Sequence, residues 1–131
     1  MGQPVVHFEI IGTDPGGLRA YYGELFGWEF TLGDATTEKV SPAGTYGFVA
    51  GRTTGEGNGI NGGVGGGPGF APQVLFYVGV PDVEAALRRA ERLGGKRLMG
   101  PEPEAGGGFA VGRFADPEGN VVGVAGPVPS G

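Results

Sequence analysis

The run Val5-Val6-His7-Phe8-Glu9-Ile10-Ile11, leading through Asp14-Pro15 into a helical stretch closed by Gly27, decides how this chain folds. It returns in altered form as Val74-Leu75-Phe76-Tyr77-Val78-Gly79-Val80, followed by Asp82 and a second helical stretch closed by Gly94. His7 to Leu75 and Asp14 to Asp82 are the same 68 residues apart, so the sequence reads as two related modules. In each module an alternating strand comes first, an Asp is placed to cap a helix, and Gly ends that helix.

Within the first strand, Val6, Phe8 and Ile10 share one face and His7, Glu9 and Ile11 the other, because side chains alternate across a sheet. The apolar face is expected to meet a helix. Pro15 suits a first helical turn, and Leu18, Tyr21, Tyr22, Leu25 and Phe26 recur at helical spacing, which predicts an amphipathic helix. Trp28-Glu29-Phe30 is expected to open a second strand, Gly33-Asp34 to turn, and residues 44–50 to form a third. Residues 59–64 are glycine-rich, which argues against a strand. The repeat nevertheless requires one there as counterpart to residues 120–124, and glycine in a strand permits close approach.

The second module is expected to run from the strand at 74–80 through a helix at 83–93, striped by Val83, Ala86, Leu87, Ala90 and Leu93 with its arginines in solvent. A strand at 108–115, a turn at Asp116-Pro117-Glu118-Gly119-Asn120 and a returning strand at 121–125 complete it, and residues 126–131 are expected to fray. The chain is thus expected to be a single domain over 1–131, with module 1 at 4–64, a glycine-rich linker at 65–72 and module 2 at 73–126.

Composition narrows the function classes. Thirty-one glycines and eleven prolines make a loop-rich chain, yet eight Phe, four Tyr and one Trp argue against wholesale disorder. Nine Lys and Arg against fourteen Asp and Glu leave a net charge of −5, which argues against a nucleic-acid partner. Without cysteine there are no disulfides, thiolate nucleophiles or cysteine-held metals. No apolar run approaches the roughly 20 residues of a membrane helix, and Met-Gly-Gln-Pro-Val lacks the features of a secretory leader, so a cytoplasmic protein without membrane attachment is expected. Gly57-Asn58-Gly59-Ile60-Asn61-Gly62 matches the bare glycine pattern of dinucleotide loops, but more glycines and Pro68 follow where a helix must open.

The order strand, helix, three strands, repeated once, with Phe26-Gly27-Trp28 closing the first helix and Asp116-Pro117-Glu118-Gly119-Asn120 near the end, resembles the vicinal oxygen chelate superfamily. That superfamily includes glyoxalase I, bleomycin-resistance proteins and extradiol dioxygenases. The resemblance implies an α+β fold of two βαβββ modules forming a cupped mixed sheet with helices outside, a small-molecule cavity within, and pairing as a homodimer. In its metal-dependent members four ligands, usually His and Glu, come from the first and last strands of the modules. Carried over by position, they fall on His7, Leu75, Asn61 and Gly123, of which only His7 is a strong donor. No metal or other cofactor is therefore expected.

His7, the only histidine, and Glu9 beside it on the same face are the candidates for acid and base chemistry. His7, Asn61, Leu75, Tyr77, Val121 and Gly123 are the expected ligand-binding lining, a mixed apolar and polar surface suited to a small aromatic or amphipathic metabolite. Glycine at 123 removes side-chain volume where a metal ligand would otherwise sit. Two function classes follow: a binding protein with a degenerate metal site, or a lyase or dioxygenase of the same superfamily, metal-dependent or using His7 alone.

Overall fold

A computed structural model describes residues 1–104 and 107–128. Its elements run Val5–Gly12 (β1), Pro15–Phe26 (α1), Thr31–Gly33 (β2), Tyr46–Val49 (β3) and Asn61–Gly66 (β4), then Gln73–Gly79 (β5), Val83–Arg92 (α2), Lys96–Pro103 (β6), Phe109–Ala115 (β7) and Val121–Pro127 (β8). This is the α+β arrangement of two βαβββ modules. Two compact units form, one spanning His7–Val74 and the other joining Met1–Val6 to the chain from Leu75 onward.

In the first unit the strands lie in the order β2-β3-β4-β1. β1 and β4 pair in parallel with His7 opposite Asn61 and Glu9 opposite Gly63, while β3 pairs antiparallel with both β4 and β2. The helix ends are built as the sequence predicts. Asp14 accepts from the Gly17 N–H at 3.1 Å, Pro15 opens the first turn, and Gly27 takes the left-handed conformation (φ 72°) that L side chains resist.

α1 departs from its expected amphipathic burial. None of its residues is fully buried, and Tyr21 and Leu25 remain 60% and 56% exposed. The side turned inward is instead the half-buried stripe of Leu18, Arg19, Tyr22 and Gly23. Leu18 lies over Gly12, the Arg19 guanidinium donates to the Thr45 carbonyl at 2.8 Å, Tyr22 stacks on Trp28, and Phe26 meets Trp28 at a tilt. Trp28 also meets Phe8 at 5.1 Å between ring centroids. That aromatic cluster holds residues 28–30 as a connection, so the second strand begins at Thr31 rather than at Trp28.

β4 exists despite its composition because its neighbours supply the side chains. A Cβ at Gly62 would enter the Phe8 ring, and one at Gly63 the Tyr46 ring. The strand extends to Gly66, two residues into the expected linker, where Ser41 Oγ accepts from the Gly66 N–H at 3.0 Å.

The second unit has the order β5-β8-β7-β6, with β5 and β8 parallel and the remaining pairs antiparallel. Asp82 caps α2 by accepting from the Ala85 N–H at 3.0 Å. One face of the sheet packs Val80, Ala110 and Val124 against Val83 and Leu87 of α2; Leu75, Tyr77 and Val111 cluster with Met99, Val121 and Ala125. Arg88, Arg89 and Arg92 face solvent as expected. Arg97 and Arg88 both bond the Glu84 carboxylate at 2.7 Å, holding it at a pKa of about 2.

β6 is a strand the sequence does not announce, and it meets β7 with register shifts between Arg97 and Met99 and between Met99 and Glu102. The closing strand runs to Pro127, past the expected end at 125. Of the tail expected to fray, residues 129–131 lie outside the described residues. Among the described residues no helix is long and apolar enough to cross a membrane.

Candidate functional site

β4 lies between β1 and β3, and the site of the first unit is built across it. His7 and Glu9 project from the same face of β1. From β3, two strands away and so roughly 10 Å distant, Tyr46 lays its ring over Gly63 and reaches both of them. Its Oη lies 2.8 Å from His7 Nε2 and donates to Glu9 Oε2 at 2.8 Å. Any side chain at residue 63 would block this path. Glu9 is 3% exposed and Tyr46 7%, so the carboxylate and phenol are both buried. Burial pushes the His7 pKa below its usual 6.5, and the nearby Glu9 charge opposes that shift in part. The His7 ring is neutral at pH 7 and lies nearly parallel to Phe8, Tyr46 and Phe48, with centroids 6.3 to 6.5 Å away.

The second unit repeats the device with the direction reversed. β8 lies between β5 and β7, and Tyr77 of β5 leans over Gly123 of β8. Its Oη accepts from Arg113 Nε of β7 at 3.1 Å. Each unit therefore carries a tyrosine across a glycine of its last strand to a charged residue on the far side.

The structure brings His7 and Glu9 together and adds Tyr46, which the sequence reading missed. The repeat compares first and last strands, whereas Tyr46 stands on a middle one. The available signal was a glycine at 63 with an aromatic on the strand beside it. Asn61 sits opposite His7, but its Oδ1 accepts from the Gly51 N–H at 2.8 Å and so fastens the loop before β4. The pairing registers, Glu9 with Gly63 and Tyr77 with Gly123, also make Gly63 the counterpart of Gly123; the reading that matched Asn61 to Gly123 is corrected by two residues. Leu75, Tyr77 and Val121 group together in the second unit, and the volume freed at Gly123 is filled by the Tyr77 ring.

Residues 7–125, nearly the whole chain, match the glyoxalase-like domain family. The chain belongs to that family. As a glyoxalase-like domain it is a member of the vicinal oxygen chelate superfamily. Among solved structures it is similar to methylmalonyl-CoA epimerase from Streptomyces coelicolor in complex with 2-nitronate-propionyl-CoA, at 14% identity, with 97% of this chain and 99% of that one covered and a TM-score of 0.64. The epimerase from Mycobacterium tuberculosis matches at 15% identity over 95% and 88% of the two chains, with a TM-score of 0.60. A hypothetical protein from Bacillus halodurans matches at 15% identity over 100% and 99%, with a TM-score of 0.63. At these identities the likeness shows the fold alone. No curated protein matches the chain.

Proposed function

We propose that this glyoxalase-like domain binds a small aromatic or amphipathic metabolite, with His7 as the polar group that meets it. The observation that carries the reading is the His7–Tyr46–Glu9 chain, a neutral imidazole backed by a buried carboxylate and bordered by aromatic rings. Such a surface offers flat apolar contact plus one directional polar bond, which is the usual composition of a small-molecule site. Relatives of the same fold hold small ligands, as the epimerase complex with a CoA ester illustrates.

The donors present do not fit the metal centre of the metal-dependent superfamily members. His7 Nε2 is engaged with Tyr46, Asn61 Oδ1 with a backbone N–H, and Leu75 and Gly123 carry no donor. Among the described residues no three His, Cys, Asp or Glu side chains gather. A divalent ion held by one imidazole would lose most of its affinity, so the reading is of a metal-independent site. Pairing as a homodimer and a cytoplasmic location belong to the same proposal.

The test uses 2-naphthol, a fluorescent aromatic with one polar group. It should bind the wild-type protein, and His7→Ala should weaken binding about fivefold, the worth of one ordinary hydrogen bond, with the circular dichroism spectrum unchanged. Equal affinity in the variant would remove His7 from the site. Elemental analysis after incubation with Ni²⁺, Zn²⁺, Mn²⁺ and Fe²⁺ should give near-zero metal per chain, and one ion per chain would overturn the metal-independent reading.

A further inference from the structure

We propose that the cavity between α2 and the sheet of the second unit is a binding site for a short aliphatic carboxylate, independent of His7. Its volume is about 340 Å³, at the lower end of the roughly 300–1,000 Å³ of small-molecule pockets. That admits a short chain rather than a nucleotide-sized cofactor. Every residue lining it belongs to the unit that joins Met1–Val6 to the chain from Leu75 onward. The space follows from the residues of α2. Val83 and Leu87 are fully buried and set how closely the helix approaches, since a Cβ at Gly112 of β7 would meet Leu87 Cδ1 and Val83 Cγ1. The neighbouring stripe of the helix, Ala86, Ala90 and Leu93, fills much less. Ala86 and Ala90 offer only methyl groups, and Leu93 is largely exposed, so it borders the space without closing it. Val78 and Val124, paired across β5 and β8, and Phe114 of β7 line it from the sheet.

Three polar side chains border this apolar space, and their commitments decide the ligand. Asp116 Oδ1 accepts from the Glu118 and Asn120 N–H groups at 2.9 Å each, and Oδ2 accepts from Asn120 Nδ2 at 2.9 Å. Its own turn thus takes up most of what a carboxylate can accept. Arg88 and Arg97 are tied to Glu84. Arg89, which borders the cavity, makes no ion pair or side-chain hydrogen bond among the described residues. Gln3 adds an uncommitted amide, and the arm that carries it is fastened by the Gly79 N–H donating to the Pro4 carbonyl at 2.8 Å. The free polar groups are therefore chiefly donors, with one positive charge, beside an apolar lining. A carboxylate supplies two acceptor oxygens for the guanidinium fork, and its chain would leave water for the space under Ala86 and Ala90. An ammonium head would meet Arg89 as a like charge and Asp116 as an acceptor already engaged.

The probe is octanoate, titrated into ¹⁵N-labelled protein at pH 7.5 and low salt. Saturable amide shifts should centre on Ala86, Ala90 and Phe114. No saturable shift, or shifts centred on His7 and Tyr46 instead, would overturn the inference and leave the function proposed above standing. Octanoate should bind about threefold more tightly than octylammonium, the scale of one exposed ion pair, and Arg89→Gln should abolish that preference. Equal affinities, or tighter binding of octylammonium, would overturn the anionic ligand class, and a preference unchanged in Arg89→Gln would remove Arg89 from the site. Ala90→Leu carries a branched chain into the empty space, so octanoate binding should be lost while the thermal midpoint is held or raised. Wild-type affinity in that variant, folded, would show that the ligand lies elsewhere. Should Ala90→Leu fail to fold, the wild-type shift map and the exposed Arg89→Gln substitution still decide the question.

Discussion

Tyr46 crosses β4 directly above Gly63, and the absence of a side chain at 63 is what lets a residue of β3 touch two residues of β1. The hydrogen-bonded site and the glycine content of the chain are therefore one feature. The space that in a more ordinary strand would hold a core side chain here holds the phenol that links His7 to Glu9.

Gly63→Ala should cost about 1–3 kcal/mol of stability, the range for overpacking a closely filled interior. Its methyl group would enter the Tyr46 ring, and the hydrogen bonds of the Tyr46 hydroxyl with His7 and Glu9 would be displaced with it. Urea denaturation monitored by Trp28 fluorescence checks this. An unchanged midpoint would mean that the ring can move aside without loss.

Stability should fall as the pH drops through 6.5, and His7 should account for the fall in that window. Its folded-state pKa lies below its unfolded value of 6.5 through burial, so above 6.5 neither state holds the proton. Below 6.5 the unfolded chain takes up a proton that the folded chain resists, which favours unfolding until the folded-state pKa is passed. Urea titrations at pH 7.5 and pH 5.5 should show this difference in the wild type and a smaller one in His7→Gln. Equal pH dependence in the two proteins would contradict the burial effect.

Glu84 should titrate at about 2, held there first by its hydrogen bond from Arg97 and further by Arg88. Its depressed pKa means that its contribution to stability is complete above pH 4.5 and is lost as the pH falls from 4.5 toward 2. Carboxyl ¹³C shifts followed through acid should show this low midpoint, and Arg97→Gln should return it toward 4.5. Since the pair lies at the surface, 1 M salt should weaken the shift.

Much of this architecture is legible from local chemistry. Asp14, Gly27 and Asp82 mark helix ends by hydrogen bonds and backbone conformation that depend only on nearby residues, and all three act as read. β4 is visible only through the repeat, because Gly62, Gly63 and Gly65 carry no side-chain signal of their own. β6 escapes notice because Gly100, Pro101 and Pro103 interrupt any alternation, and the strand adapts to them by shifting register against β7. The exposed side of α1 is hidden for a different reason: spacing shows that Tyr21 and Leu25 share a stripe, but not whether a neighbouring strand has side chains for them to pack on. At the site, strand alternation pairs His7 with Glu9, while Tyr46 depends on a contact 39 residues along the chain from His7. The two-residue shift between Asn61 and Gly63 likewise comes from the inter-strand register, which turn spacing does not fix.

The glycines of β4 and β8 also invert the usual map of mutational tolerance. In most proteins the positions least forgiving of change are large apolar residues, where a replacement leaves a hole. Here a scan of every substitution would find harsh rows at Gly62, Gly63 and Gly123, where even the smallest addition collides with Phe8, Tyr46 or Tyr77. The two partners of each such contact are therefore unequal: the ring can be made smaller at the cost of a hole, whereas the glycine beneath it has no room to grow.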